Sequence, residues 1–351
     1  MSVDDVSRLI SKCMLCPRKC GADRLSGHIG YCGETAEIRA ARAALHMWEE
    51  PCISGSNGSG AVFFSGCNMK CVFCQNHDIA SSEIGRPISS ERLSDIFLEL
   101  QEKHANNINL VTPSHFVPQI CKSLIRAKDN GLSIPVIYNT SSYECVETLR
   151  MLDGLIDVYL PDLKYFSSDL SLRYSNAPDY FPTASAAIAE MFRQVGTPVF
   201  ENEIHYNDHP SDSVYDLSHK KSDVDGNTSA PENINTCSES SDYDISESEI
   251  IKKGVIVRHL CLPGSTNDSK AVLKYLFDTY GNDIYVSIMS QYTPLEQMQS
   301  DPVLGRKLTD SEYNDVVDFC ISVGMENAFI QDGETASESF IPAFDYKGLD
   351  Q

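Results

Sequence analysis

Residues 65–76, SGCNMKCVFCQN, place Cys67, Cys71 and Cys74 within eight residues. This C-x3-C-x2-C pattern directly follows the apolar run at 61–65 (AVFFS), which has the composition of a buried β-strand. Compact sets of cysteine thiolates hold iron–sulfur clusters, and each iron of a four-iron cubane needs one ligand from outside the cluster. Three cysteines leave one iron open, which is typical of a reactive centre. A structural zinc or a set of buried thiols is the alternative.

The composition supports a metal role for these thiols. The chain has 351 residues and 13 cysteines, and neither a basic, apolar leader nor an apolar stretch of roughly 20 residues is visible in it. We therefore expect a cytoplasmic protein, in which cysteines stay reduced and serve as metal ligands or redox groups before disulfides. The formal charge of −22 disfavours nucleic acid and anionic membranes as partners.

Short β-type runs alternate with longer helical runs beyond the cysteine loop, which predicts βα units around a parallel sheet. The predicted strands are 61–65, 107–112, 135–139, 157–160, 254–259 and 283–289, with a seventh apolar run at 327–331. The predicted helices are 90–104, 114–129, 142–152, 184–195, 267–280 and 310–323. Six such units are enough for a barrel or most of one.

Composition divides the chain into segments. Residues 1–60 are rich in cysteines and turns, 61–331 form the barrel, and 332–351 are a C-terminal tail. Residues 205–249 interrupt the barrel with eleven acidic residues, two lysines and almost no aliphatic periodicity. Such a segment cannot offset its ordering entropy, so we expect a disordered acidic surface insertion. A phosphorylatable docking segment is the alternative.

The cysteine loop within a βα repeat resembles the radical S-adenosylmethionine (SAM) superfamily. The run FSGCNMKCVFCQN (64–76) is similar to the pyruvate formate-lyase activating-enzyme branch, and the resemblance covers about 10–331 apart from the insertion. It implies a partial (βα)6 TIM-like barrel and a [4Fe-4S] cluster on Cys67, Cys71 and Cys74. It further implies an oxidoreductase-type enzyme that reductively cleaves SAM to a 5'-deoxyadenosyl radical for hydrogen abstraction. A flavodoxin- or ferredoxin-like protein would supply the electron for this cleavage.

The resemblance also implies SAM contacts at the carboxyl ends of the barrel strands, where ligands of such barrels collect. After the second strand, TPSH (112–115) departs from the Gly-Gly-Glu-type motif of many relatives, and Ser114 is either a SAM contact or a helix N-cap. The polar run 139–142 suits ribose hydroxyls or another cap. The predicted contacts are Ser114, Asn139, Ser141, Asp162, Lys164 and Arg258.

Two of these assignments rest on local chemistry. Asp162 and Lys164 resemble an Asp-x-Lys element whose lysine meets the SAM carboxylate, with a rim ion pair as the alternative. Alternate strand residues face opposite sides, so only one of Arg258 and His259 points inward. Arg258 is the better carboxylate partner because a guanidinium stays charged and binds bidentately.

Weaker candidates flank these residues. The segment 48–51 (WEEP) is a candidate substrate-face element, and Gln291 and Tyr292 are candidates for covering the adenine or the substrate. Packing is the alternative for Trp48 and Tyr292.

A second set of thiols, Cys13, Cys16, Cys20 and Cys32, has the spacing C-x2-C-x3-C-x11-C. Four thiolates suit a closed site, and a tetrahedral zinc and a fully ligated iron–sulfur cluster fit equally well. The site serves as a structural clip or as an electron relay.

The substrate is left open by the sequence. A partner protein that receives a glycyl radical and a small molecule are both compatible with it, and no catalytic side chain is singled out. The rival class is a non-catalytic iron–sulfur or zinc-binding protein for electron transfer or interaction.

Overall fold

A single sheet, built mainly from parallel strands, organises the protein. The computed structural model describes residues 3–204, 249–331 and 341–350. The predicted insertion at 205–249, apart from Glu249, and much of the predicted tail at 332–351 lie outside these residues. The strands are β1 (Ile38–His46), β2 (Ser59–Phe64), β3 (Arg86–Ile88), β4 (Ile108–Val111), β5 (Val136–Thr140), β6 (Val158–Pro161), β7 (Val199–Asn202), β8 (Glu249–Leu260), β9 (Tyr285–Met289) and β10 (Ala328–Ile330).

The helices of the described residues are α1 (Val3–Ser11), α2 (Pro51–Ser54), α3 (His77–Ala80), α4 (Ser90–Glu102), α5 (Val117–Asp129), α6 (Val146–Leu149), α7 (Ser168–Ser175), α8 (Tyr180–Val195), α9 (Thr266–Tyr280) and α10 (Asp310–Ser322). Six helices, α4, α5, α6, α8, α9 and α10, lie at predicted runs, whereas α1, α2, α3 and α7 were not predicted. Ser89 caps α4, and Thr309 with Glu312 forms a capping box on α10. None of the helices in the described ranges has both the length and the apolar character needed to span a membrane.

The predicted fold class is confirmed. The sheet order is β10-β9-β8-β6-β5-β4-β2-β1-β3, with β7 paired to β8. The strands from β2 through β4, β5, β6, β8 and β9 to β10 are parallel neighbours, as a partial TIM-like barrel requires. Within the described residues the sheet is not closed, because its order runs from β10 at one edge to β3 at the other.

Three strands were not foreseen from the sequence. β1 and β3 extend the sheet beyond β2 with antiparallel pairing, and β7 pairs antiparallel with β8. The run IRAARAALH of β1 is dominated by alanine and arginine, which have little intrinsic strand preference, so its pairing with β2 decides its conformation. A strand from the predicted 1–60 segment is therefore hydrogen-bonded into the barrel sheet.

The two faces of the sheet bury different clusters. The outer face contributes Phe64, Leu110, Tyr138 and Val257 to the main core, which also contains the apolar residues of the surrounding helices. The inner face contributes Ile137, Val158, Leu160 and Ile256, which pack with Cys52 and Ile53 of α2. Asn107, just before β4, donates to the carbonyl of Ile53 at 2.8 Å, so α2 closes the barrel at the amino ends of its strands. The polar residues of the candidate site lie at the opposite end, where the strands have their carboxyl ends.

The β7–β8 ladder holds together the two chain ends that flank the predicted insertion. Asn202 pairs with Glu249, Glu201 with Ile250 and Phe200 with Ile251. Glu203 accepts hydrogen bonds from the backbone N–H groups of Ser56 and Asn57 and ties this hairpin to the α2 segment. The insertion therefore leaves and re-enters the barrel at one paired position.

Substituting alanine for Gly254 in β8 should destabilise the fold by about 2–4 kcal/mol. Gly254 has φ +126°, and a Cβ there would lie 2.4 Å from Cα of Pro198, a backbone atom that cannot rotate away. Gly154→Ala is the matched control, because φ is also positive (+78°) but nothing lies within 4 Å, so about 1 kcal/mol is expected. Urea unfolding measures both, and equal costs would contradict the steric argument.

Candidate functional site

The cysteine loop begins at the carboxyl end of β2, where the backbone turns sharply. Gly66 has φ +85°, and a Cβ there would lie 2.5 Å from Cγ of Glu34 and 2.8 Å from the carbonyl oxygen of Cys32. The N–H of Gly66 donates to the Ile79 carbonyl at 2.7 Å, and that of Cys67 donates to the Cys32 carbonyl at 3.1 Å. Only glycine permits this close approach, so the loop is packed directly against the amino-terminal segment.

Arg18 fastens the loop from the same side. Its Nε donates to the Asn68 carbonyl at 2.8 Å, and its Nη2 donates to the Ser175 carbonyl at 2.9 Å. The guanidinium also lies over the rings of Tyr31 and Tyr143. The amino-terminal segment and α7 therefore both fix where the three thiols stand.

The three thiols are hydrogen-bonded and electrostatically coupled. The N–H of Met69 donates to Sγ of Cys67 at 3.4 Å, and Oγ of Ser175 donates to Sγ of Cys71 at 3.0 Å. Burial raises the pKa of Cys71, and burial with the neighbouring sulfurs raises that of Cys74 to about 12. Three uncompensated thiolates are unfavourable here, whereas metal-bound thiolates are charge-compensated.

The donor chemistry of the loop suits an iron–sulfur cluster. It offers three thiols, and Cys67 and Cys71 accept hydrogen bonds at sulfur from Met69 and Ser175. In the described ranges no group of three or more His, Cys, Asp or Glu side chains is already arranged around a single metal ion.

A charged cluster lies beside the thiols at the carboxyl edge of the sheet. Asp162 binds Nζ of Lys164 at 2.5 Å and Nε of Arg258 at 3.0 Å. Nη2 of Arg258 donates to Oδ1 of Asn139 at 2.6 Å, and Lys164 interacts electrostatically with Cys71. The structure thus brings together seven predicted residues: Cys67, Cys71, Cys74, Asn139, Asp162, Lys164 and Arg258.

The pKa shifts in this cluster follow from burial and pairing. Burial opposes the charged form of Asp162, yet Lys164 and Arg258 hold its pKa below the ordinary value. The same carboxylate keeps the pKa of Lys164 above its usual range in spite of burial. All three groups stay charged at neutral pH, so a ligand carboxylate that enters here competes with Asp162 for the two cations.

Strand alternation places Arg258 inside the barrel and His259 outside, as the sequence analysis preferred. Arg258 follows the inward-facing Ile256, whereas Nδ1 of His259 contacts the Leu163 carbonyl at 2.7 Å. Burial lowers the pKa of His259, which therefore stays neutral. Its surroundings are those of a core histidine.

Two glutamates from the segment before α2 complete the cluster. Glu49 binds Nη1 of Arg258 at 3.2 Å and accepts from Nδ2 of Asn109 at 2.9 Å. Glu50 interacts with Ser287 and with Arg258, and burial raises the pKa of both glutamates. The segment 48–51 was predicted to lie near the substrate face, but its pairing with Arg258 was not predicted. The clue in the sequence was the pair of adjacent glutamates. Trp48, which precedes them, is 59% exposed, so tight packing does not explain this tryptophan.

Ser114 and Ser141 take other partners. Oγ of Ser114 donates to Oε1 of Glu144 at 2.5 Å, and the short 3-10 turn that begins at Ser114 is not capped by a side chain. The carbonyl of Ser141 accepts from the hydroxyl of Tyr180 at 2.9 Å. That hydroxyl also contacts the Asp162 carbonyl and thereby joins the ends of β5 and β6.

The weaker candidates at 291–292 make structural contacts. Tyr292 is buried, and its hydroxyl donates to the Leu304 carbonyl at 2.6 Å, so it is a packing residue. The Gln291 carbonyl accepts from Gln75 of the cysteine loop at 3.0 Å. A cavity of about 400 Å³ has Cys71 and Cys74 among its lining residues. Two of the three thiols are therefore reached from this side.

Glu144→Gln should make the protein more stable relative to wild type as the pH rises. Burial raises the pKa of Glu144 from 4.5 to about 7, although the hydroxyls of Ser114, Thr140 and Tyr138 oppose the shift. The folded state then keeps a proton that the unfolded state releases between these values, so wild-type stability falls through this window by up to about 3 kcal/mol. Glutamine carries no such proton.

Urea unfolding at pH 4.5 and pH 7.5 measures this change. The matched control is Glu147→Gln, an exposed carboxyl on α6, which should alter stability by less than about 0.5 kcal/mol at either pH. A pH-independent difference between wild type and Glu144→Gln would contradict the prediction.

The second set of thiols is also gathered in space. Cys13, Cys16 and Cys32 are buried and Cys20 is exposed, and each interacts with at least one other member of the set.

A family model and a curated relative each match part of this chain. Residues 61–211 match the family model of the radical SAM superfamily. A curated relative named "Uncharacterized protein MJ0674", from Methanocaldococcus jannaschii, is 30% identical over 190 residues, which are 52% of this chain and 54% of the relative. The chain thus aligns with about half the length of this relative.

Several solved structures are similar to parts of this chain at low sequence identity. Streptococcus suis SuiB, solved with the precursor peptide SuiA, gives a TM-score of 0.44 at 12% identity and covers 76% of this chain and 47% of its own. Methylornithine synthase (PylB) gives a TM-score of 0.44 at 12% identity, and the match covers 94% of this chain and 78% of that protein. The protein anSMEcpe with bound AdoMet gives a TM-score of 0.43 at 11% identity, and the match covers 74% of this chain and 57% of that protein.

The superfamily implies a [4Fe-4S] cluster and SAM, and the residues present fit both groups. Three thiols lie in one loop, and Met69 and Ser175 donate hydrogen bonds to two of the sulfurs. The cations Lys164 and Arg258, both paired with Asp162, are suitable partners for a carboxylate. The fit rests on this donor chemistry.

Proposed function

We propose that the chain is a cytoplasmic radical SAM enzyme, similar to the pyruvate formate-lyase activating-enzyme branch. One observation carries the proposal: the three thiols of the loop after β2 stand beside the Lys164–Asp162–Arg258 cluster, and all of these residues except Arg258 lie in the segment 61–211 that matches the radical SAM superfamily. A non-catalytic iron–sulfur protein has no need for two buried cations next to its cluster loop.

In this proposal Cys67, Cys71 and Cys74 hold the cluster. When bound, the cluster and SAM supply the one-electron cleavage that yields a 5'-deoxyadenosyl radical for hydrogen abstraction. Lys164 and Arg258 attract the SAM carboxylate, while Asp162 orients both cations. Asn139 and Ser141 offer polar groups at the end of β5, and Ser114 acts through Glu144. The barrel shields the reacting groups from water.

The finer assignment concerns the partners. The reductant is a flavodoxin- or ferredoxin-like protein, which delivers electrons from the cavity side, where Cys71 and Cys74 are reached. The substrate is a glycine of another polypeptide, as in the activating enzymes that the cysteine loop resembles. A small molecule remains the alternative substrate.

Anaerobic reconstitution with iron and sulfide, followed by dithionite and SAM, tests the activity. We expect 5'-deoxyadenosine and methionine in equal amounts from wild type. A folded, iron-loaded protein that transfers electrons but forms no 5'-deoxyadenosine would establish the rival, non-catalytic class.

A further inference from the structure

We infer that Cys13, Cys16, Cys20 and Cys32 hold a second metal centre through four thiolates, and that the buried guanidinium of Arg24 is its counter-charge. This centre is separate from the proposed SAM site, so its test does not depend on SAM cleavage. The centre takes a thiophilic metal, as one zinc ion or as an iron–sulfur cluster.

The folding of residues 13–33 turns the four sulfurs toward one another. The N–H of Cys13 donates to the Ala22 carbonyl at 3.0 Å, and the N–H of Gly21 donates back to the Cys13 carbonyl at 3.0 Å. Gly30 lies between two members of the set, since a Cβ there would stand 3.4 Å from Sγ of Cys32 and 3.5 Å from Sγ of Cys20. A side chain at residue 30 would fill the space between the sulfurs.

One hydrogen bond and several electrostatic interactions link the four residues. Cys20 and Cys13 form a side-chain hydrogen bond, and Cys16 interacts electrostatically with Cys32 and Cys13. Among the described residues no group of three or more such side chains is arranged around a single metal ion, so binding one zinc ion would require the four thiols to move.

Arg24 provides an independent indication of negative charge at this place. Its side chain is 1% exposed, and its hydrogen bonds go to neutral acceptors: the carbonyls of Thr35 and His115 at 2.5–3.1 Å, and Sγ of Cys13 at 3.8 Å. No carboxylate among the described residues forms an ion pair with it. A buried charge without a counter-charge is costly, and a tetrathiolate metal centre carries the negative charge that Arg24 lacks.

The local core is too small to explain the ordered loop. The apolar cluster of this segment has three fully buried members, Ile10, Cys13 and Leu15. Segments with so little buried apolar area normally need a disulfide or a metal to hold their shape, and none of these cysteines is in a disulfide. A metal bound by these four thiols would hold the shape of the segment.

The centre also adjoins the cluster loop. The Cys32 carbonyl accepts from the N–H of Cys67, so a ligand of one set is hydrogen-bonded to a ligand of the other. Ordering the amino-terminal segment therefore helps to order the loop after β2.

Metal analysis of anaerobically purified protein tests the inference. A variant with Cys67, Cys71 and Cys74 replaced by alanine keeps only the amino-terminal set, and we expect about one zinc or about four irons per chain in it. Adding Cys16→Ala and Cys20→Ala should remove this metal. Adding Cys121→Ala and Cys320→Ala instead, at cysteines outside both sets, should leave it in place. A metal-free triple variant, or retention of the metal without Cys16 and Cys20, would overturn the inference.

Two further variants guard against simple misfolding. Cys20 is exposed, so Cys20→Ala should keep the folded circular dichroism spectrum while losing the metal to a chelator at least tenfold faster. Arg24→Gln should release the metal about 10–100-fold more readily than wild type. If chelator competition of either folded variant matches wild type, the assignment of ligand or counter-charge is wrong.

Discussion

Cys71→Ala should lower 5'-deoxyadenosine formation by about a thousandfold or more, to background, and remove the cluster absorption of the barrel loop. The three thiols act as one unit, so losing one ligand costs nearly as much as losing all of them. The sulfur of Cys71 accepts from Ser175 and interacts electrostatically with Lys164. High-performance liquid chromatography of quenched reactions and the visible spectrum provide the two measurements.

Cys121→Ala is the matched control for this variant. Cys121 is partly buried on α5, and its thiol donates to the Met151 carbonyl at 3.4 Å, away from both cysteine sets. Its replacement should leave the activity within about twofold of wild type. Full activity in Cys71→Ala would refute the cluster assignment, whereas equal losses in both variants would point to general instability.

Arg258→Met should destabilise the cluster-free protein by about 3–5 kcal/mol at pH 8, because it leaves buried carboxylates without their cation. Arg258 contacts Asp162 and Glu49 directly and interacts with Glu50. Burial already raises the pKa of both glutamates, and removing the guanidinium raises it further. The folded variant then binds protons more readily than the unfolded chain, so the loss should be smaller at pH 5 than at pH 8.

Chemical unfolding of two companion variants completes this test. The double variant Arg258→Met, Glu49→Gln should recover part of the loss, since one unpaired carboxylate is gone. Arg126→Met removes an exposed arginine that lies 3.8 Å from Asp95 and should change stability by less than about 1 kcal/mol. A pH-independent loss in Arg258→Met, or no recovery in the double variant, would contradict the electrostatic explanation.

The central strands were predictable because each is a short apolar run followed by an amphipathic helix. β2, β4, β5, β6, β8, β9 and β10 all lie at predicted runs. β1 was missed because alanine and arginine carry no strand signal, and β3 and β7 because three or four residues are too few to show a period. Their conformation comes from pairing with neighbours that are distant in sequence.

The site shows the same division. Alternation within β8 was enough to choose Arg258 over His259 for the inner side. The Asp-x-Lys spacing predicted a SAM contact for Lys164, with an ion pair to Asp162 as the alternative, and the structure contains that ion pair. Nothing local reveals that Glu49 reaches Arg258, since 209 residues separate them. Ser114 likewise looked equivalent as a cap or a ligand contact, and its partner Glu144 is fixed only by the folded sheet.

The Asn202–Glu249 pair makes the barrel divisible at one known place. Two polypeptides, one ending just after β7 and one starting just before β8, would each carry half of this ladder and one side of the β6–β8 seam. Co-expressed, such halves should reassemble into the whole sheet and bring Arg258 back to Asp162. Dividing the gene at this point would thus give two fragments that complement each other. Recovery of the proposed SAM cleavage would report that they have assembled.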